Sequence, residues 1–142
     1  MIKKNILFLC TGNSCRSQMA EGWAKKYWGH EFNVYSAGTK KHGMNERAIK
    51  VMKEVEVDLS THYSKTIDDL FNVSFDYVVT VCDHAHENCP YFPDGKVIHE
   101  GFQDPPAITK DMRDEEEILT IYRRVRDEIE SFIIDMKKTL EK

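Results

Sequence analysis

Long apolar runs are missing from this sequence. No stretch of its 142 residues approaches the roughly 20 consecutive apolar positions that a membrane-spanning helix needs, so no membrane partner is expected. Cysteine is scarce. Four thiols, Cys10, Cys15, Cys82 and Cys89, fall far below the density of a secreted domain built on disulfides. A surplus of positive charge is missing too. Twenty Lys and Arg against 24 Asp and Glu give a net charge of −4, a poor basis for general nucleic-acid binding. There are no repeats, low-complexity tracts or linker-like compositions, and the four prolines all fall between Pro90 and Pro106. What is present, 41% hydrophobic and 31% charged residues, has the balance of a folded globular protein. A chain of this length buries about two-thirds of its unfolded surface on folding, so residues 1–142 are expected to form one domain.

The same scarcity places the cysteines. Ile6–Cys10 is too brief for the core of a secretory signal, and Thr11-Gly12-Asn13-Ser14 ends it at once. The expected location is therefore the reducing cytoplasm, where neighbouring thiols are more often catalytic or metal-binding than structural.

The hydrophobic pattern alternates between two periods. Ile6-Leu7-Phe8-Leu9 is a continuous apolar run, the mark of a strand buried on both faces. Ser17–Trp28 follows at helical spacing, with Met19, Ala20, Trp23, Ala24 and Tyr27 on its apolar side. Strands are expected at Asn33–Ala37, Asp76–Val81 and Lys96–His99, and a second helix at Asn45–Val55. The last helix, Asp114–Leu140, carries a stripe from Ile118 to Met136, acidic residues in its first turn and lysines near its end. Strands alternating with helices predict an α/β domain with a mainly parallel sheet. Parallel strands end along one edge, where such proteins bind ligands. Cys10 and Cys82 each end a strand and Asp104 follows one, so all three are expected at that edge. Strand order, which decides how near they come, is not encoded in any visible pattern.

One of these corners carries chemistry. Cys10-Thr11-Gly12-Asn13-Ser14-Cys15-Arg16-Ser17 is a Cys-x5-Arg segment between a strand and a helix. Small residues let successive backbone N–H groups cup a tetrahedral oxyanion, and the helix N-terminus adds its positive end. Arg16 offers a two-pronged donor that lysine cannot reproduce. That field favours a thiolate at Cys10, and Ser14 and Ser17 can donate hydrogen bonds to its sulfur. The plain alternative is an ordinary strand–turn–helix corner with Cys10 as a small buried apolar residue.

The segment resembles the phosphate-binding loop of the low-molecular-weight protein tyrosine phosphatase superfamily, and within it the thioredoxin-coupled arsenate reductases are the most similar group. Ser36-Ala37-Gly38, Asp104-Pro105 and the stretch Cys82-Asp83-His84-Ala85-His86-Glu87-Asn88-Cys89-Pro90 extend the likeness over nearly the whole chain. The resemblance implies a four-stranded parallel sheet flanked by helices on both faces. It implies an oxyanion cradle of Thr11, Gly12, Asn13, Ser14, Cys15 and Arg16, supported by Ser17, with Asp104 as the acid protonating the leaving oxygen. It further implies a relay in which Cys10 attacks arsenate, Cys82 attacks Cys10, and Cys89 resolves the disulfide for thioredoxin to reduce. Phosphate or sulfate would compete for the cradle, and the protein would act as a monomer with no cofactor and no metal.

Composition makes the second pair of thiols informative. A phosphatase needs one thiolate and a water, which would leave Cys82 and Cys89 idle; a two-electron reduction can use three thiols in sequence. Cysteines seven apart cannot bridge within a regular helix, since seven residues rise about 10.5 Å and bridged Cα atoms lie within about 7 Å. That stretch must therefore loop out or unwind when oxidised. Three other readings stand beside this one. Cys82, His84, His86 and Cys89 could hold a metal; the two thiols could be unrelated; and Asp104 could simply begin a turn. The alternative activity is tyrosine phosphatase using Cys10, Arg16 and Asp104, although Pro106-Ala107 offers no aromatic wall for a phenyl ring. A non-catalytic arsenite or metal regulator would leave Arg16 and Asp104 unexplained.

The sequence departs from the family pattern in two places. Some of the reductases bind potassium near the loop through Asn, Glu, Ser and Asp. Here Asn13, Glu21 and Ser36 occupy the matching positions, but Lys65 replaces the Asp. An ammonium there is expected to serve as an internal cation, with little dependence of activity on potassium. Glu56 stands where relatives often end a helix with Gly.

Overall fold

The computed structural model describes residues 3–82 and 95–140. The apolar run forms β1 (Lys4–Cys10), followed by α1 (Arg16–Trp28), β2 (Phe32–Gly38) and α2 (Glu46–Glu54). A 3-10 turn (Ile67–Leu70) leads to β3 (Tyr77–Thr80). After it come β4 (Lys96–His99), the short α3 (Pro105–Thr109) and the long α4 (Glu115–Leu140). The expected elements are present to within a residue or two at their ends. The 3-10 turn and α3 are additions, each too short to show a hydrophobic period.

All neighbouring strands pair in parallel, in the order β2-β1-β3-β4. Ile6, Leu7, Phe8 and Leu9 are completely buried, so both faces of the central strand are covered. That is why the run does not alternate. Against it pack Met19, Ala20, Trp23 and Ala24 of α1, themselves buried. Helix α1 is enclosed on more sides than an amphipathic surface helix, because Ser17, Gln18, Glu21 and Gly22 are buried as well. Tyr27 does not belong to this core: it is exposed, with its hydroxyl donating to Glu130 at 2.7 Å. Helix α4 lies across α1 through Val125, Ile129 and Ile133, and Trp23 donates its indole N–H to the Arg126 carbonyl at 3.1 Å.

Strand order creates the site. From β1 the chain crosses to β2 on one side, then returns past β1 to β3 on the other. The C-terminal ends of β1 and β3 therefore flank a crevice where the connections diverge, the usual ligand position in open α/β sheets. At the end of β2, Gly38 allows a close approach. A Cβ there would stand 2.6 Å from the Thr11 carbonyl oxygen and 2.8 Å from the Asn13 nitrogen. Any larger residue would push the loop away from the sheet.

Candidate active site

Residues 11–15 connect β1 to α1 across this crevice. Cys15 occupies the N-cap position but makes no side-chain cap hydrogen bond, and the first turn of α1 carries no acidic residue. The first N–H groups of the helix are thus left without a side-chain acceptor, with the positive end of its dipole uncompensated. The two other helices with polar N-caps differ: the Asn45 side chain caps α2, and Asp114 accepts from the backbone of Glu116 at 3.0 Å at the start of α4. Cys10, Thr11, Gly12, Ser14, Cys15 and Arg16 line a cavity of about 220 Å³, completed by His42, Asp104 and Pro106.

The loop is braced from behind. Asn13 has φ +50°, a left-handed conformation that asparagine tolerates better than most residues. Its side chain faces away from the cavity and is fully buried. Its amide nitrogen donates to Ser17 Oγ at 2.8 Å and to Ser36 Oγ at 3.0 Å. Its oxygen accepts from Gln18 Nε2 and from the Lys65 backbone N–H, each at 2.9 Å. Two donors and two acceptors use the full capacity of the group. Since Ser17 Oγ accepts from Asn13, its own hydrogen is available for Cys10 Sγ, 2.9 Å away. No corresponding contact joins Ser14 to that sulfur among the described residues; Ser14 lines the cavity.

A buried ionic cluster anchors the brace. Ser36 donates to Glu21, which also pairs with Lys25. The Lys65 ammonium and His62 Nδ1 each lie 3.8 Å from the Glu21 carboxylate. Burial alone would raise the Glu21 pKa, but Lys25 and Ser36, with His62 and Lys65 beyond them, hold it below its ordinary 4.5. Burial pushes Lys65 below its usual value despite the pull of Glu21, and does the same to His62. His62 donates its Nδ1 hydrogen to Gln18 Oε1 at 2.9 Å, because that carbonyl oxygen can only accept. The residue that departs from the family pattern, Lys65, thus brings its charge directly to Glu21.

Arg16 and Asp104 face the cavity from opposite ends of the sequence. Arg16 Nη1 donates to the Phe102 carbonyl at 3.0 Å, which fixes the guanidinium plane, while Nη2 lies 3.6 Å from Asp104 Oδ1. Asp104 does begin α3, just before Pro105, yet its side chain makes no cap hydrogen bond. The carboxyl group is left to the cavity and is 40% exposed, accessible enough to exchange a proton. Cys15 is fully buried. Desolvation, followed by the nearby Cys10 and Asp104, pushes its thiol well up, against the opposing pull of Arg16.

Cys82 directly follows Val81, whose N–H donates to the Leu9 carbonyl at 2.9 Å. Its buried sulfur lies 3.4 Å from the Thr11 hydroxyl, beside the loop. Cys10 and Cys82 are therefore brought to one crevice. Cys89, His84 and His86 lie outside the described residues. Among the described residues, no cluster of His, Cys, Asp and Glu has the makings of a metal site.

Gln18, His62 and His42 are the participants that the sequence did not mark. Gln18 is two residues past Arg16, but its role depends on His62, 44 residues away. His42 reaches the cavity only because β1 and β2 are neighbours. A Cys-x5-Arg search has no means of finding either contact.

Comparison with known proteins agrees with this geometry. The arsenate reductase of Halalkalibacterium halodurans is 54% identical over 130 residues, covering 91% of each chain. That of Oceanobacillus iheyensis is 50% identical, covering 99% of this chain and all of its own. Among solved structures, an arsenate reductase in its phosphate-binding state superposes with a TM-score of 0.74 at 29% identity, covering 94% of this chain and 95% of that one. Residues 5–142 match the low molecular weight phosphotyrosine protein phosphatase family. A match over that span, together with the strand-end loop it contains, establishes that the chain belongs to this family.

Proposed function

We propose that the protein reduces arsenate to arsenite through a thiol relay. The observation that carries this reading is the position of Cys82, buried at the end of β3 and 3.4 Å from the Thr11 hydroxyl of the oxyanion loop. Phosphatase chemistry has no use for a second thiol there. Relatives named as arsenate reductases at about half identity over nearly full length support the same choice.

Arsenate enters the cavity, where the loop N–H groups and Arg16 bind its oxygens. The Ser17 hydrogen bond favours the thiolate form of Cys10, which attacks arsenic. Asp104 protonates the departing oxygen, which leaves as water. Cys82 then attacks the Cys10 sulfur. The electron pair of the S–As bond passes to arsenic, arsenite departs, and a Cys10–Cys82 disulfide remains. Cys89 attacks Cys82, releasing Cys10 as thiolate and leaving a Cys82–Cys89 disulfide. Two electrons from a thioredoxin dithiol restore both thiols. This cycle suits a monomer in a reducing cytoplasm and calls for no bound cofactor.

Arsenate turnover is measured with a thioredoxin system by NADPH oxidation, for the unmodified protein and for Cys82→Ser and Cys89→Ser. Both variants are expected to lose multiple turnover. Cys89→Ser is expected to release one arsenite per enzyme, whereas Cys82→Ser releases none. Full turnover in either variant, or phosphotyrosine hydrolysis without arsenate reduction in the unmodified protein, overturns the reading.

A further inference from the structure

The cavity rim holds a group that the reaction above does not use. His42 comes from the segment after β2, far from the loop in sequence, yet it lines the same cavity as Cys10, Arg16 and Asp104. Its backbone is tied down: the His42 N–H donates to the Gly12 carbonyl, and the Lys40 N–H to the Thr11 carbonyl, each at 3.0 Å. Its ring covers Gly12 so closely that a Cβ on that glycine would stand 2.3 Å from Nδ1 and 2.6 Å from Cγ. The imidazole therefore lies against the backbone that forms the oxyanion cradle, while the residue remains exposed to water.

We propose that His42 is an oxyanion-binding residue, its imidazolium supplying a side-chain cation at the mouth of the cradle alongside Arg16. The inference rests on the reading of the loop as an oxyanion site. An exposed imidazolium adds charge where the ligand enters without the desolvation that would oppose a buried one. Other groups set the local field. Cys10, Cys15, Arg16 and Asp104 share the cavity, and Lys40 and Lys41 precede His42, with Lys41 paired to Asp69 at 3.0 Å. Of the cavity's cations, Arg16 keeps its charge throughout the neutral range, whereas histidine does not. Binding should consequently be strongest with the ring protonated and weaken as pH rises through the histidine range.

Inorganic sulfate is the probe, because its charge is constant between pH 5.5 and 8.5, and Cys10→Ser is the background, because it removes the titrating thiol. Calorimetry should show sulfate binding to Cys10→Ser weakening about fivefold across that range. In the Cys10→Ser, His42→Asn double variant, binding should be about fivefold weaker at the acid end and flatter with pH. In the otherwise unmodified protein, His42→Asn should raise KM for arsenate below neutral pH while leaving kcat and the alkylation of Cys10 by neutral iodoacetamide unchanged. A purely packing role would change the last two instead. His42→Gln serves as a second variant if the asparagine form melts early. Sulfate binding that is insensitive to residue 42 overturns the proposal alone. Failure of Cys10→Ser to bind sulfate at any pH overturns the oxyanion reading and this proposal with it.

Discussion

At the residue scale, the loop is governed by a buried amide rather than by a charge. Asn13 adopts a left-handed conformation and spends all four of its hydrogen-bonding positions on Ser17, Ser36, Gln18 and the Lys65 backbone. Its consequence for chemistry passes through Ser17, whose hydroxyl is left pointing at Cys10. A hydrogen bond to a charged acceptor is worth roughly 1.5–3 kcal/mol. Ser17→Ala should therefore slow alkylation of Cys10 by iodoacetamide at pH 7 by about tenfold. Stopped-flow or quench measurements check this, with the melting temperature as control for folding. Cys15 should remain unmodified in the same experiment, because burial keeps it a neutral thiol.

At the scale of elements, α2 shows how one end of a helix can be well made and the other compromised. Its N-terminus is capped by the Asn45 side chain, which accepts from the Ala48 N–H. Beyond its C-terminus, Glu56 takes φ +64°, with its N–H donating to the Lys53 carbonyl at 3.0 Å. A side chain with a Cβ costs about 1 kcal/mol in that conformation, and glycine does not. Glu56→Gly should accordingly stabilise the protein by about 1 kcal/mol and raise its melting temperature by about 4 °C; calorimetric unfolding tests this. The cap and the termination were both legible in the sequence, because they depend on neighbours within a few residues. So was the stripe on α4. Val51, Leu119 and Tyr122, which the stripes omitted, are nevertheless buried. Helices enclosed on several sides bury more than one stripe, and enclosure is not a local property.

Across the whole molecule, the acidic surface and the anion-binding crevice are compatible because the site carries its own field. The net charge is −4, but Arg16 and the uncompensated N-terminus of α1 act within a few ångströms of the ligand, where the distant surface charges are screened. The cluster behind the loop has a cost that depends on pH. Burial depresses the His62 pKa below 6.5, so the unfolded chain takes up a proton that the folded one resists. Stability due to this group is present above about pH 6.5 and is lost as pH falls through the depressed folded value. Glu21, also depressed, adds a second loss below its ordinary 4.5. Melting temperature should decline in two stages on acidification. His62→Gln should remove the upper stage and leave the lower one, as followed by circular dichroism from pH 8 to 4.

What the sequence determined by itself was local: which segments are strands or helices, where they end, and the small residues and arginine that make an oxyanion loop. These follow from hydrophobic period, capping and backbone freedom, all acting within about one or two turns of chain. The tertiary structure decided which of these features meet. The order β2-β1-β3-β4 sets Cys82 beside Thr11, and the return of the chain over β4 brings Asp104 to Arg16. It also delivers His42, His62 and Lys65, whose sequence neighbours give no sign of their roles. The physical reason is that strand order comes from burying both faces of β1 at once. That is a cooperative property of the whole core, and no short window of residues contains it.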